Sequence, residues 1–184
     1  MTITRHLTIL CGTWLAAALL LGACGGGGGS STVSAAQYVK VACTDVSAWV
    51  KSIQQGASKL QTANPSSAED GKKLFTNFYE DVISDTAKLE DQLKAAGTPG
   101  VDNGDTIASN TVSAIDKIRS LLEQSRSRIE SLPTNSPQAF AHAVQAAGQA
   151  IQQSFQQVDL SNTINSPELS SAAAKEPACQ NIGG

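Results

Sequence analysis

The chain has 184 residues, 41 % of them hydrophobic, 4 % aromatic and 16 % charged, with a formal net charge of −3. A mildly acidic chain has no broad electrostatic reason to bind nucleic acid or an anionic leaflet, so no nucleic-acid partner is expected. With so few aromatics, any core must be lean and built from aliphatic side chains.

The first segment has one fixed positive charge at Arg5, an apolar run from Leu7 to Leu21, and the small residues Gly22 and Ala23. That is the layout of a secretory signal peptide, here residues 1–23. The run is slightly short for a bilayer core, which needs roughly 20 residues, so an uncleaved anchor is the weaker reading. No twin arginine is present, and export in the unfolded state is expected. Leu21-Gly22-Ala23-Cys24 resembles the lipobox of bacterial lipoproteins, in which a leucine and two small residues precede a cysteine. The resemblance implies that the Cys24 sulfur takes a diacylglyceryl group, that cleavage falls between Ala23 and Cys24, and that Cys24 becomes the mature N-terminus. It also implies a body held by lipid on the outer face of the cytoplasmic membrane. The competing reading is an ordinary secretory signal with an incidental cysteine.

Residues 24–36 read as the lipidated cysteine and a flexible linker. From Gly25 to Ala36 there are only Gly, Ser, Thr, Val and Ala. As a coil these residues would hold the body about 20 Å from its anchor, with a stretched limit of about 40 Å. The glycine run lacks the spacing and the flanking strand and helix of a phosphate-cradling loop.

Removing the signal peptide also removes Arg5 and leaves 12 basic against 16 acidic residues, a net charge of −4. Membrane association must then come from the lipid. Of the four cysteines, Cys11 leaves with the signal and Cys24 is acylated, which leaves Cys43 and Cys179. Outside the cytoplasm two leftover thiols most economically pair. The chain-entropy gain for so long a loop is about 5 kcal/mol before strain. A metal site is the competing idea, but two cysteines alone fall short of a usual zinc ligand set.

Residues 37–184 form the expected body, where apolar residues recur at three and four and almost nothing alternates by two. Helix one carries Val39, Ala42, Val46, Trp49, Ile53, Ala57 and Leu60 and stops near Asn64-Pro65. Helix two opens at Ser66 with Glu69 completing a capping box, then shows Phe75, Phe78, Val82, Thr86, Leu89, Leu93 and Ala96 before Gly97. A third begins within Asp102 to Thr106 and runs through Ile107, Thr111, Ala114, Ile118, Leu121, Ser125, Ile129 and Leu132 to Pro133. Ser136 and Pro137 cap a fourth, with Phe140, Val144, Ala147, Ile151, Phe155 and Val158 on one stripe. A short fifth begins at Ser166-Pro167-Glu168 and ends before Pro177. Such stripes joined by short loops predict an all-α fold: an up-down-up-down four-helix bundle with a short C-terminal fifth helix and one disulfide.

Few groups suggest chemistry. His142, the one histidine of the mature chain, shares the face of Gln138, Gln145, Gln149, Gln152 and Gln156, away from the apolar stripe. Di-iron bundles need paired Glu-x-x-His motifs, and none exists. Asp85 with Lys88, Glu90 with Lys94, Asp116 with Arg119, and Arg126 with Glu123 and Glu130 read as ion pairs of solvated helix faces. Asp102-Asn103-Gly104-Asp105 is better read as a turn than as a calcium loop, because Gly104 and Ser113 would stand at ligand positions. No Gly-x-Ser-x-Gly elbow appears, so no catalytic residue, metal or cofactor is expected. From Pro137 to Val158 no Lys, Arg, Asp or Glu occurs, and Ala139, Ala143, Ala146 and Ala150 form a second small-residue stripe.

Taken whole, the chain resembles small helical lipoproteins and secreted proteins of high-GC Gram-positive bacteria. The residues that carry this are Leu21 to Gly29, VACTDV around Cys43 and EPACQ around Cys179. The resemblance supplies no catalytic or binding residues. The expected role is a lipid-anchored, non-catalytic binding or scaffold module with an envelope protein partner. The alternative is a carrier or sensor for a small apolar ligand between helices, lined by Trp49, Phe75, Phe78, Phe140 and Phe155.

Overall fold

The computed structural model describes residues 31–156, 166–180 and 182. The signal peptide, Cys24 and the glycine run lie outside them, as does Val158. Described residues are predominantly helical: α1 (Ala35–Thr62), α2 (Ala68–Ala95), α3 (Gly104–Glu130), α4 (Pro137–Gln156), α5 (Pro167–Ala173) and α6 (Pro177–Gln180). Two short strands, β1 (Thr32–Val33) and β2 (Thr98–Pro99), pair in parallel.

Local chemistry sets most boundaries. The Ser34 hydroxyl accepts from the Gln37 amide at 3.2 Å and starts α1. At α2 the cap is Ser67, one residue later than expected, because Ser67 Oγ accepts from the Asp70 amide at 3.1 Å. Asp70, rather than Glu69, stands three residues after the cap, and its carboxylate accepts from the Ser66 hydroxyl at 2.5 Å and the Ser67 hydroxyl at 2.8 Å. Those two hydrogen bonds lower its pKa below the ordinary carboxylate value. At α4, Ser136 Oγ accepts from the Ala139 amide at 3.3 Å, and Pro137 occupies the first turn.

The central core, the trunk, lies among the first three helices. Val82, Leu89 and Leu93 of α2 meet Ile115, Ile118 and Leu122 of α3, with Ala42, Val46, Trp49 and Ile53 of α1 packed against them. Burying a leucine fully is worth about 1.5 to 3 kcal/mol. The stripe on α3 is wider than its sequence reading, since Ile115 and Leu122 are buried as well. Polar stripe residues are satisfied within their own helices. Thr86 donates to the Val82 carbonyl at 2.7 Å, and Ser125 to that of Leu121 at 2.6 Å. Thr86 also accepts from the Trp49 indole at 2.9 Å, linking α1 to α2.

Partner numbers run in opposite senses along neighbouring helices. Arg119 meets Glu90 and Arg126 meets Glu80, so α2 and α3 are antiparallel. Ser52 meets Asp85 while the start of α1 lies beside the end of α2, so α1 and α2 are antiparallel too. The fourth helix packs on α3. Phe140 is buried, and a Cβ on Gly71 would come within 2.9 Å of its ring, so any side chain at 71 would require that phenyl to shift. Ala147 is buried and Val144 half-buried, whereas the side chains of Ile151 and Phe155 fall outside the described set.

A second apolar cluster closes the end where α1 begins. Tyr38 and Val39 of α1, Ala96, Ile107 of α3 and Leu169 of α5 form it, with Leu169 wholly buried. Burial raises the Tyr38 pKa, and a hydrogen bond with Thr111 partly offsets that. Cys43 and Cys179 are bonded across it, Sγ to Sγ 2.00 Å, with Cα atoms 4.9 Å apart. The expected fifth helix is α5, and α6 is an additional turn carrying Cys179. There the Ser47 hydroxyl of α1 donates to the Ala178 carbonyl at 2.9 Å.

Residues 31–36, read from sequence as linker, belong to the body. The Thr98 amide donates to the Ser31 carbonyl at 3.0 Å and the Gly100 amide to that of Val33 at 2.7 Å. Backbone pairing of this kind is indifferent to side chains, which is why a Ser-Thr-Val-Ser run that resembles a spacer can still be seated.

Candidate functional site

Three clefts run end to end between α1 and α2, with volumes of about 350, 190 and 190 Å³ from the start of α1 downward. Asp45 and Gln92 border both the first and the second. Ser52, Asp85 and Lys88 border both the second and the third. Together they follow the α1–α2 seam as a segmented groove from Gln37 to Lys59 of α1, about 33 Å at 1.5 Å per residue, crossed at its middle by the hydrogen bond between Ser52 and Asp85. Its apolar lining is Val41, Trp49, Leu89, Phe78 and Val82, and its polar groups are Asp45, Ser52, Asp81, Asp85, Lys88 and glutamines.

At its midpoint Asp85 ties the helices together. Ser52 Oγ donates to Asp85 Oδ2 at 2.5 Å and Lys88 Nζ to Asp85 Oδ1 at 2.9 Å. Lys88 and Ser52 hold the carboxyl below its ordinary pKa, while Asp85 raises that of Lys88. A stabilised carboxylate and a held ammonium are both poor bases, and Ser52 directs its proton to the carboxylate. The cluster latches α1 to α2 through the hydrogen bond between Ser52 and Asp85 and presents the Lys88 charge beside it. Higher up, partial burial pushes the Asp45 carboxyl above its ordinary pKa.

Aromatic residues named for a ligand cavity are engaged in packing. Trp49 bonds Thr86, Phe78 meets Tyr79 edge to face with centroids 5.5 Å apart, and Phe140 lies against Gly71. Phe75 is half-buried. His142 is exposed on α4 and borders none of the three groove clefts. Among the described residues no three His, Cys, Asp or Glu side chains gather as a metal site, and no helix is long and apolar enough to cross a membrane.

One charged cluster departs from the solvated reading. Glu90 is only 8 % exposed, between Lys94 Nζ at 2.6 Å and Arg119 Nε at 3.2 Å. The Arg119 contact is an ion pair without hydrogen-bond alignment, so that buried Nε has no hydrogen-bond acceptor. Arg119 also meets Asp116 at 2.5 Å. This network lies at the α2–α3 seam, where antiparallel packing brings Arg119 over Glu90.

Of the residues singled out from sequence, Cys43 and Cys179 are brought together. Ala23 and Cys24 lie outside the described residues. Asp45 and Ser52 were missed, although a signal existed: Asp45, Ser52 and Lys59 recur every seven residues and so share one line along α1. Just before α3, Asn103 adopts the left-handed conformation at φ 60° with no side-chain cap bond, and Asp105 accepts from the Thr98 hydroxyl at 3.1 Å. That single side-chain hydrogen bond ties β2 to the first turn of α3 across the loop. No protein-family model matches this chain, and no curated protein and no solved structure matches it.

Proposed function

We propose that this chain is a lipid-anchored, non-catalytic binding or scaffold module on the outer face of the cytoplasmic membrane. In this reading residues 1–23 are a signal peptide and Cys24 carries the lipid. The body is an up-down-up-down bundle in which α4 continues the alternation of α1, α2 and α3. The observation that carries the binding role is the groove along α1 and α2, which is lined by both apolar and polar side chains. A groove of this length and character suits an extended or helical segment of an envelope protein. The carrier reading has less support, since Trp49 bonds Thr86 across the α1–α2 seam, Phe78 lies against Gly56 of α1 and Phe140 lies against Gly71 of α2.

The test places a photo-crosslinking residue at exposed Gln55 or Gln92 on the groove, or at exposed Gln124 on α3, in intact membranes. A defined protein adduct from both groove positions and none from Gln124 is expected. Equal patterns from all three, or no adduct, overturn the groove assignment. Cys24→Ala should abolish lipid labelling and release or strand the protein; labelling and fractionation unchanged from wild type overturn the anchor.

A further inference from the structure

The pairing of β1 with β2 decides where the tether leaves the body. Ser31 is held by the Thr98 amide and Val33 by the Gly100 amide, beside the start of α1, the end of α2 and the disulfide. The seat is specific to glycine at one corner. Gly97 has φ +84°, and a Cβ there would lie 2.2 Å from the Ser31 carbonyl oxygen. From Cys24 to Ser31 the chain can span at most about 25 Å fully extended. The opposite end, at the α1–α2 loop, lies a 28-residue helix away, about 42 Å.

We infer that the disulfide-bearing end is the membrane-facing end: the β1–β2 clamp holds the α2–α3 loop and α6 toward the lipid headgroups, and the groove runs outward from there. The inference rests on the lipid-anchor reading of Cys24 and adds which surface meets the bilayer. Net charge supports an upright body, because a mature chain of −4 is repelled by an anionic surface and gains nothing by lying on it. A partner in the groove would then be met away from the headgroups, with the α1–α2 loop outermost.

The experiment uses the full lipidated chain in phosphatidylcholine vesicles containing phosphatidylglycerol and an acceptor dye on the headgroups. A donor dye is attached to a cysteine introduced by Asp102→Cys or Ser66→Cys, exposed positions at opposite ends, with Cys43 and Cys179 kept oxidised. Energy transfer should be at least about three-fold stronger from position 102 than from 66 for ends one helix length apart. Mass spectrometry of the same samples reads the lipid on Cys24. An unlipidated chain overturns the anchor reading; a lipidated chain with equal or reversed transfer overturns the orientation. Gly97→Val should unseat β1 and narrow the contrast while circular dichroism stays helical. A folded Gly97→Val protein that keeps the full contrast overturns the clamp as its cause, and the unmodified chain's contrast decides the orientation by itself.

Discussion

The trunk and the disulfide-bearing end hold together by different means. In the trunk, α2 and α3 are consecutive and antiparallel, so Leu89, Leu93, Ile118 and Leu122 meet after one short turn. Little chain entropy is lost in bringing them together, and aliphatic burial is enough. At the other end Ser31, Thr98 and Leu169 come from widely separated parts of the chain, and the apolar cluster there is assembled from segments distant in sequence. That end is secured by backbone pairing, by Leu169 as a plug, and by a bridge closing 136 residues. The difference teaches that the trunk is held by helices that are neighbours in sequence, whereas the other end is held by contacts between distant segments and a covalent bridge.

The sharpest attack on the trunk is Leu89→Ala. A side chain 1 % exposed at the centre of the cluster should cost about 2 to 5 kcal/mol, read as a lower urea midpoint with the slope unchanged. A cost close to zero would show that the trunk is not where stability resides. Opening the lock comes next in size. Cys43→Ser with Cys179→Ser should lower the melting temperature by the equivalent of about 2 to 4 kcal/mol. Helical circular dichroism at low temperature should persist, because the trunk needs no bridge. Thiol counting on unreduced, denatured protein should find neither the Cys43 nor the Cys179 sulfur free.

The smallest effect separates two carboxylates on the groove by sign. Burial raises the folded pKa of Asp45, so its contribution to stability is fully present below its unfolded pKa and is lost as pH rises through the folded value. Asp45→Asn should therefore stabilise the protein at neutral pH, by less than about 1 kcal/mol after solvent screening, with the gain fading in acid. Asp85 behaves oppositely. Lys88 and Ser52 depress its folded pKa, so its stabilisation is present above the unfolded pKa and is lost as pH falls through the folded one. Asp85→Asn should destabilise at neutral pH and converge with wild type at low pH, which pH-resolved urea titrations would measure.

Helix existence was legible because burial on one side of a helix imposes the 3.6-residue repeat, and Val82, Leu89, Ile118 and Phe140 lie where that repeat put them. Pro137 behind Ser136, and Ser166 with Pro167, announced two starts because capping chemistry is local. Cysteine pairing followed from the expectation that Cys11 and Cys24 are used elsewhere, which left Cys43 and Cys179 to each other. The capping of α2 was misread by one residue, since Ser66 and Ser67 both offer a hydroxyl and only the backbone path decides which one receives the Asp70 amide.

What the sequence determined by itself was the helical class, most helix ends and the partners of the bridge, all of which depend on neighbours along the chain or on counting. Tertiary structure alone decided three other features. Thr32 and Val33 pair with Thr98 and Pro99 although two-residue strands have no periodicity to read. Glu90 is buried because Arg119 arrives from another helix to share its charge. Asp45, Ser52 and Asp85 line one groove because α1 and α2 pack with those faces adjacent. Each is a contact between segments distant in sequence, and its energy exists only once the helices have chosen their partners.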